Sequence, residues 1–159
     1  MRRVLAFDRG ALSPRYIFAD ECGFGYRSSV FLAPDAPVIL AAELGLSRGC
    51  REEIARIMRE RLEVREARHP WRDRSAGSVF RNPDGYSAGS LIEQAGLKGV
   101  RRGDALISPM HANFIVNAGT ASADDVRRLI DEVRTAVWQS FGIELVPEVR
   151  LWGFDETDA

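Results

Sequence analysis

The sequence predicts an α+β domain, a small mixed sheet with helices packed on one face. Three observations lead there. Residues 51–68 and 122–140 carry apolar side chains at helical spacing. Short apolar runs at residues 4–7, 38–44, 105–108, 114–117 and 146–152 read as strands. The order is strand, strand, helix, irregular loop, helix, strands, helix, strand, the order of an α+β domain.

Each element has its local reason. Residues 8–20 read as turn because they hold Gly10, Pro14 and Asp20, and a glycine-rich loop follows from Asp20 to Ser29. In 51–68, Ile54, Ile57, Met58 and Leu62 share a face, Glu52 and Arg56 stand at i,i+4, and Pro70 ends the run. Residues 71–86 are rich in Gly, Ser, Asn and Pro and read as irregular. Residues 87–95 form a short helix with Ser87 or Ser90 as N-cap and Gly96 as its stop. Ser122 caps the last helix, whose apolar positions are Val126, Leu129, Ile130, Val133 and Val137, and Gly142 stops it. The acidic tail, residues 155–159, reads as frayed.

Residues 1–48 carry few strands and no helix by pattern, and such a segment struggles to bury its own apolar residues. The expectation is two regions: 1–48 as the end of a domain whose beginning is absent, and 49–159 as a domain.

Composition narrows the classes. At 159 residues, 45% apolar and 28% charged, the chain has a globular balance, and its net charge of −1 gives no bulk field to gather nucleic acid or acidic lipid. No apolar run approaches the ~20 residues of a membrane span. The basic start is interrupted by Asp8 and Arg9, which leaves no room for a secretion signal. A cytoplasmic protein is expected. Cys22 and Cys50 read as reduced thiols, and with His69 and His111 they lack metal-ligand spacing, so no metal is expected. There are 21 arginines against one lysine, Lys98. That count reads as the coding bias of a GC-rich genome, so only arginines in special contexts bear on function.

The common nucleotide and hydrolase signatures are missing: no Walker loop, no dinucleotide fingerprint, no G-x-S-x-G elbow. Three polar positions stand out. Arg27 follows Gly23-Phe24-Gly25-Tyr26, where glycines let the backbone approach a ligand and the guanidinium could clamp a carboxylate; the alternative is a solvated loop arginine. Ser78 sits among small residues ahead of Arg81-Asn82-Pro83, and a serine held against a developing carbanion can pass it a proton; the alternative is a turn or capping serine. Glu148 and Arg150, two apart in an expected strand, would lie on one side; the alternative is a surface pair. His111, before an apolar strand, is a weaker fourth. Alone, these support an α+β domain with capacity for an anionic ligand.

Six blocks in one order say more. They are Glu21-Cys22-Gly23-Phe24-Gly25-Tyr26-Arg27-Ser28-Ser29, Ser75-Ala76-Gly77-Ser78-Val79-Phe80-Arg81-Asn82-Pro83, Ser87-Ala88-Gly89 with Leu91-Ile92-Glu93, Gly96-Leu97-Lys98-Gly99, His111-Ala112-Asn113-Phe114-Ile115-Val116-Asn117, and Pro147-Glu148-Val149-Arg150. Together they resemble the C-terminal part of the UDP-N-acetylenolpyruvoylglucosamine reductase (MurB) family, in its shorter, type II form. The resemblance runs from about Asp20 to Gly153.

It implies the reduction of UDP-N-acetylenolpyruvoylglucosamine to UDP-N-acetylmuramate, a cytoplasmic step of peptidoglycan synthesis. NADPH and FAD are the implied cofactors, with hydride passing to the enolpyruvyl group before protonation. By the same resemblance Ser78 matches the family's proton donor, and Arg27 and Glu148 match its two other catalytic positions. Tyr26, Asn82, His111 and Arg150 fall at positions resembling substrate contacts.

There are departures. The family usually has Lys where Arg81 stands and often where Met110 stands. Nothing here matches the family's FAD-binding domain, and residues 1–48 correspond to the tail of its flavin-side domain. The isolated chain is therefore expected neither to hold FAD tightly nor to turn over, and its implied partner is a separate or upstream FAD-binding domain. The alternative is a non-catalytic UDP-sugar-binding or regulatory module derived from the reductase.

Overall fold

A computed structural model describes residues 1–154, so the acidic tail expected to fray lies outside the described residues. The chain divides into two compact units, Met1–Ile54 and the part from Ala55 onward.

The first unit holds three strands, β1 (Arg3–Asp8), β2 (Ser13–Phe18) and β3 (Val38–Glu43), in the order β2-β1-β3 and antiparallel throughout. The segment expected to be turn is thus half strand. Its turns are residues 9–12, where Asp8 Oδ1 accepts the Gly10 and Ala11 N–H groups at 2.9 and 3.0 Å, and residues 19–20 after β2. Pro14 argues against a strand, yet β2 is an edge strand, where a missing N–H costs no ladder bond. Val4, Ala6, Ile17 and Cys22 are buried together, with Phe31 packed on them. β3 is exposed along its whole length.

Helix α1 (Arg51–Arg68) forms where the apolar period expected it. None of its residues is buried; Ile54, Ile57, Met58 and Leu62 keep between 37% and 66% of their surface in solvent. Among the described residues no helix is long and apolar enough to cross a membrane.

The second unit carries β4 (Arg74–Ser78), α2 (Ala88–Gln94), β5 (Arg101–Arg102), β6 (Ala105–Ile107), β7 (Phe114–Asn117) and α3 (Ala123–Phe141). Its sheet runs β4-β7-β6-β5, and every pairing is antiparallel rather than mixed. The connections explain this: β5 to β6 and β6 to β7 are short returns, which make antiparallel neighbours, whereas parallel ones need a crossover. The α+β class holds.

Two further expectations fail here. Residues 74–78 are strand, not loop, although Ser, Ala and Gly are poor strand formers; pairing with β7 decides, and the ladder bulges between Ser75 and Ser78 around Gly77 at φ +88°. Residues 146–152 are not a closing strand. Pro147 makes an isolated bridge with Phe80, and the chain bends at Val149.

The core joins α2 and α3 to one face of this sheet through Phe80, Leu91, Ile92, Ala105, Ile107, Ile115, Leu129, Ile130, Val133, Val137 and Leu145. α3 buries Leu129, Ile130, Val133 and Val137, worth roughly 1.5–3 kcal/mol each. Ser122 and Asp125 close its start as a reciprocal capping box, and Gly142, at φ +65°, ends it. At the shorter helix α2, Ser87 and not Ser90 is the N-cap.

Candidate functional site

Side chains alternate across a strand. Ile115 of β7 faces the α3 core, so Phe114 and Val116 face the other way, and their register partners Ser78 and Ser75 go with them. On that face lies a cavity of about 490 Å³ lined by Arg65, His69, Trp71, Asp73, Ser75 and Ser78, with Phe114 in its wall. The Arg65 guanidinium stands 5.8 Å above the Trp71 ring, a cation–π contact.

Ser78 is the half-buried last residue of β4, just past the bulge. The backbone beyond Ser78 is pinned from two sides. The Val79 N–H donates to the Asn113 carbonyl at 2.9 Å, and the Glu148 N–H donates to the Val79 carbonyl at 2.7 Å. The Arg81 N–H donates to the Val146 carbonyl at 3.0 Å. The fold therefore brings half-buried Glu148 alongside the residue after Ser78 without any strand around Glu148. The bend at Val149 removes the alternation that was to set Glu148 and Arg150 side by side, and Arg150 is exposed.

Asn82 ties its loop to α2, its side-chain oxygen accepting the Ala88 N–H at 3.0 Å. His111 is half-buried in the β6–β7 return. Ser108 Oγ accepts the Met110 and His111 N–H groups there, and His111 Nδ1 accepts the Asn113 N–H at 3.2 Å. The His111 ring stacks on His69 with centroids 5.2 Å apart and meets the Phe114 edge at 5.0 Å. Burial and then the neighbouring His69 hold its imidazole below the usual histidine range.

In the first unit, Gly25 and Ser28 exchange N–H···O bonds at 3.0 and 3.3 Å, so Tyr26 and Arg27 are the two central residues of a tight turn. Arg27 has φ +54°, the left-handed backbone that a type II turn demands at its third position and that usually belongs to Gly or Asn. Both side chains are exposed, with the Arg27 guanidinium 6.0 Å from the Tyr26 ring.

Reading residues alone misses Arg65, His69 and Trp71 as cavity residues, and Asn113 as the residue that pins Phe80. Only their proximity in sequence to Pro70 and to His111 hints at them.

Flavin and nicotinamide dinucleotides need a place for a pyrophosphate, ordinarily a helix N-terminus with free N–H groups. The helix N-termini of the described residues do not offer one. α1 begins with Glu52 and Glu53, α3 begins with Asp124 and Asp125 inside its own capping box, and α2 spans only seven residues. The buried polar side chains, Ser108 and Asn113, are spent on the fold itself. Among the described residues no three His, Cys, Asp or Glu side chains are grouped to hold a metal ion.

Comparison with known proteins bears on this arrangement. Residues 69–152 match the family described as UDP-N-acetylenolpyruvoylglucosamine reductase, C-terminal domain. The chain is 44% identical over 146 residues to the UDP-N-acetylenolpyruvoylglucosamine reductase of Carboxydothermus hydrogenoformans, covering 92% of this chain and 47% of that protein. It is 47% identical over 133 residues to a second such reductase, from Symbiobacterium thermophilum, covering 84% and 43%. The crystal structure of the UDP-N-acetylenolpyruvylglucosamine reductase from Thermus caldophilus superposes with a TM-score of 0.79 at 38% identity, over 96% of this chain and 53% of that one. The chain spans about half the length of the curated relatives it matches.

Proposed function

Because this chain belongs to the UDP-N-acetylenolpyruvoylglucosamine reductase (MurB) family, we propose that it carries the substrate-binding and proton-donating half of that reductase. The observation that carries the reading is the placement of Ser78: at the end of a bulged strand, in the wall of a cavity, with the backbone after it pinned by Asn113 and Glu148.

The reaction is the reduction of UDP-N-acetylenolpyruvoylglucosamine to UDP-N-acetylmuramate, in peptidoglycan synthesis in the cytoplasm. FAD and NADPH, the hydride source by family, are held outside the described residues, on an FAD-binding domain that partners this chain. The remaining roles fall to its own side chains. Arg27 clamps the substrate carboxylate, where its charge is fixed and its fork fits two oxygens. The Ser78 hydroxyl gives its proton to the carbanion carbon of the enolate-like intermediate. Glu148 stands beside it as an orienting group. Tyr26, Asn82, His111 and Arg150 contact the rest of the substrate. Arg81 keeps a cation next to Asn82, while Met110 supplies none.

An assay of NADPH-dependent reduction tests this, on the chain alone and with the flavin-bearing half of the Carboxydothermus relative supplied separately. The expected result is no turnover alone and product formation when complemented, lost in Ser78→Ala. A colourless chain that binds the substrate yet never supports turnover would overturn the catalytic reading in favour of a UDP-sugar-binding module. A yellow chain that turns over unaided would overturn the division of labour.

A further inference from the structure

We propose that His69 is a positioning residue for His111, holding it as the neutral imidazole whose proton sits on Nε2. The inference rests on the reading of His111 as a substrate-side group.

The geometry carries it. The two rings are stacked at 5.2 Å with 22° between their planes, and Phe114 closes on both, 5.3 Å from His69 and 5.0 Å from His111. His111 Nδ1 lies 3.2 Å from the Asn113 N–H, a donor that cannot turn away because it belongs to the backbone of the return. A ring nitrogen that accepts cannot carry a proton, so the neutral ring protonates at Nε2. Gly89 closes the remaining side, where a Cβ would come within 2.9 Å of His111 Cε1. His69 is itself anchored at the end of α1: its N–H donates to the Arg65 carbonyl at 2.9 Å, and its Nδ1 lies 3.2 Å from the same oxygen. It lines the Ser78 cavity, while His111 lines a neighbouring hollow with Ser90, Glu93 and Met110.

The charges around the pair agree with a single neutral donor. His69 and then Lys98 act against a proton on His111, while its backbone hydrogen bond and Glu93 act for it. Glu93 is engaged by Lys98 at 2.7 Å, which blunts its pull. Around His69 stand Arg65, Glu66, Arg72 and Asp73, a balanced set. Two stacked imidazoles cannot both be charged at low cost, so His69 adds to the limit that burial already sets on His111. At neutral pH His111 then offers an N–H to a substrate oxygen and adds no charge to the site.

The chain has two histidines, so nitrogen-15 spectra of the whole chain resolve each ring by a single variant. The expected result is a His111 that stays the Nε2–H tautomer and titrates below 6.5, the ordinary histidine value. His69→Gln should raise that midpoint toward 6.5 and admit the other tautomer, while His69→Phe, which keeps a stacking ring without a charge, should keep the tautomer and raise the midpoint. A His111 that titrates at or above 6.5 in the native chain, or that ignores both substitutions, overturns the proposal. Added UDP-N-acetylenolpyruvoylglucosamine separates the two layers. If His69 governs His111 and the substrate leaves both rings unmoved, the substrate reading of His111 fails while the positioning role of His69 is upheld.

Discussion

The Asn113 side-chain amide holds the backbone of Phe80 from both ends, accepting its N–H at 2.9 Å and donating to its carbonyl at 2.8 Å. Asn113 and Phe80 are both buried, at 5% and 2% exposure. One side chain thus fixes the segment leaving Ser78 to the return that carries His111. Asn113→Ala would strand a buried donor and a buried acceptor, each costing about 1–3 kcal/mol. The expected loss is about 2–6 kcal/mol in urea unfolding. Asn113→Asp keeps the acceptor but buries a charge and sets an oxygen against the Phe80 carbonyl, so it should lose at least as much.

Arg27 is held at φ +54°, a backbone costing about 1–2 kcal/mol for a residue with a side chain. Arg27→Gly should therefore leave stability unchanged or raise it by up to about 1 kcal/mol, after the greater unfolded-state freedom of glycine is subtracted. The same variant should lose affinity for UDP-N-acetylenolpyruvoylglucosamine. Thermal unfolding and a binding titration on one preparation check both halves of this trade.

Gly89 lies in α2 with helical backbone, so alanine there gains up to about 1 kcal/mol of helix propensity. Its Cβ, however, would press on His111 Cε1 at 2.9 Å. Gly89→Ala should fold and yet displace the His111 ring, breaking the bond from Asn113. The His111 resonances would report it, with stability changing little.

Two carboxylates tie stability to pH. Thr120, through its N–H and its hydroxyl, and then Arg101 hold Asp104 below the usual carboxylate range; the Ser122 N–H and hydroxyl do the same for Asp125. A carboxylate with a lowered folded pKa stabilises the fold above its unfolded value, here about 3.8, and that contribution is lost as pH falls through the folded value. The second unit should lose stability below about pH 4, and Asp104→Asn with Asp125→Asn should flatten that slope. Melting temperatures between pH 5 and pH 2.5 read it.

The long periodic elements are legible in the sequence because period and caps agree there. α3 carries four buried positions at helical spacing between Ser122 and Gly142, and it is legible almost to its ends. The misses fall where pairing, or its absence, overrides local propensity. β2 contains Pro14, and β4 contains Ser, Ala and Gly; neither looks like a strand until β1 and β7 lie beside it. Residues 146–152 look like a strand and find only a single bridge. For the site, Ser78, Glu148, Arg27 and His111 stand out through their motifs. His69 and Asn113 do not, because their meaning lies in a ring stack and in a paired amide that no spacing along the chain announces.

The central claim is that this chain binds UDP-N-acetylenolpyruvoylglucosamine through Arg27 and protonates it from Ser78. A calorimetric titration of the purified chain with that compound, beside Arg27→Ala and Ser78→Ala, tests it most directly. The account predicts one-to-one binding, weakened at least about tenfold by Arg27→Ala, the ~1.5–3 kcal/mol of a charged hydrogen bond. Ser78→Ala should bind nearly as well as the native chain, since its proton is needed only after hydride has arrived. Equal affinity in Arg27→Ala, or no binding by a chain shown to be folded, would contradict it.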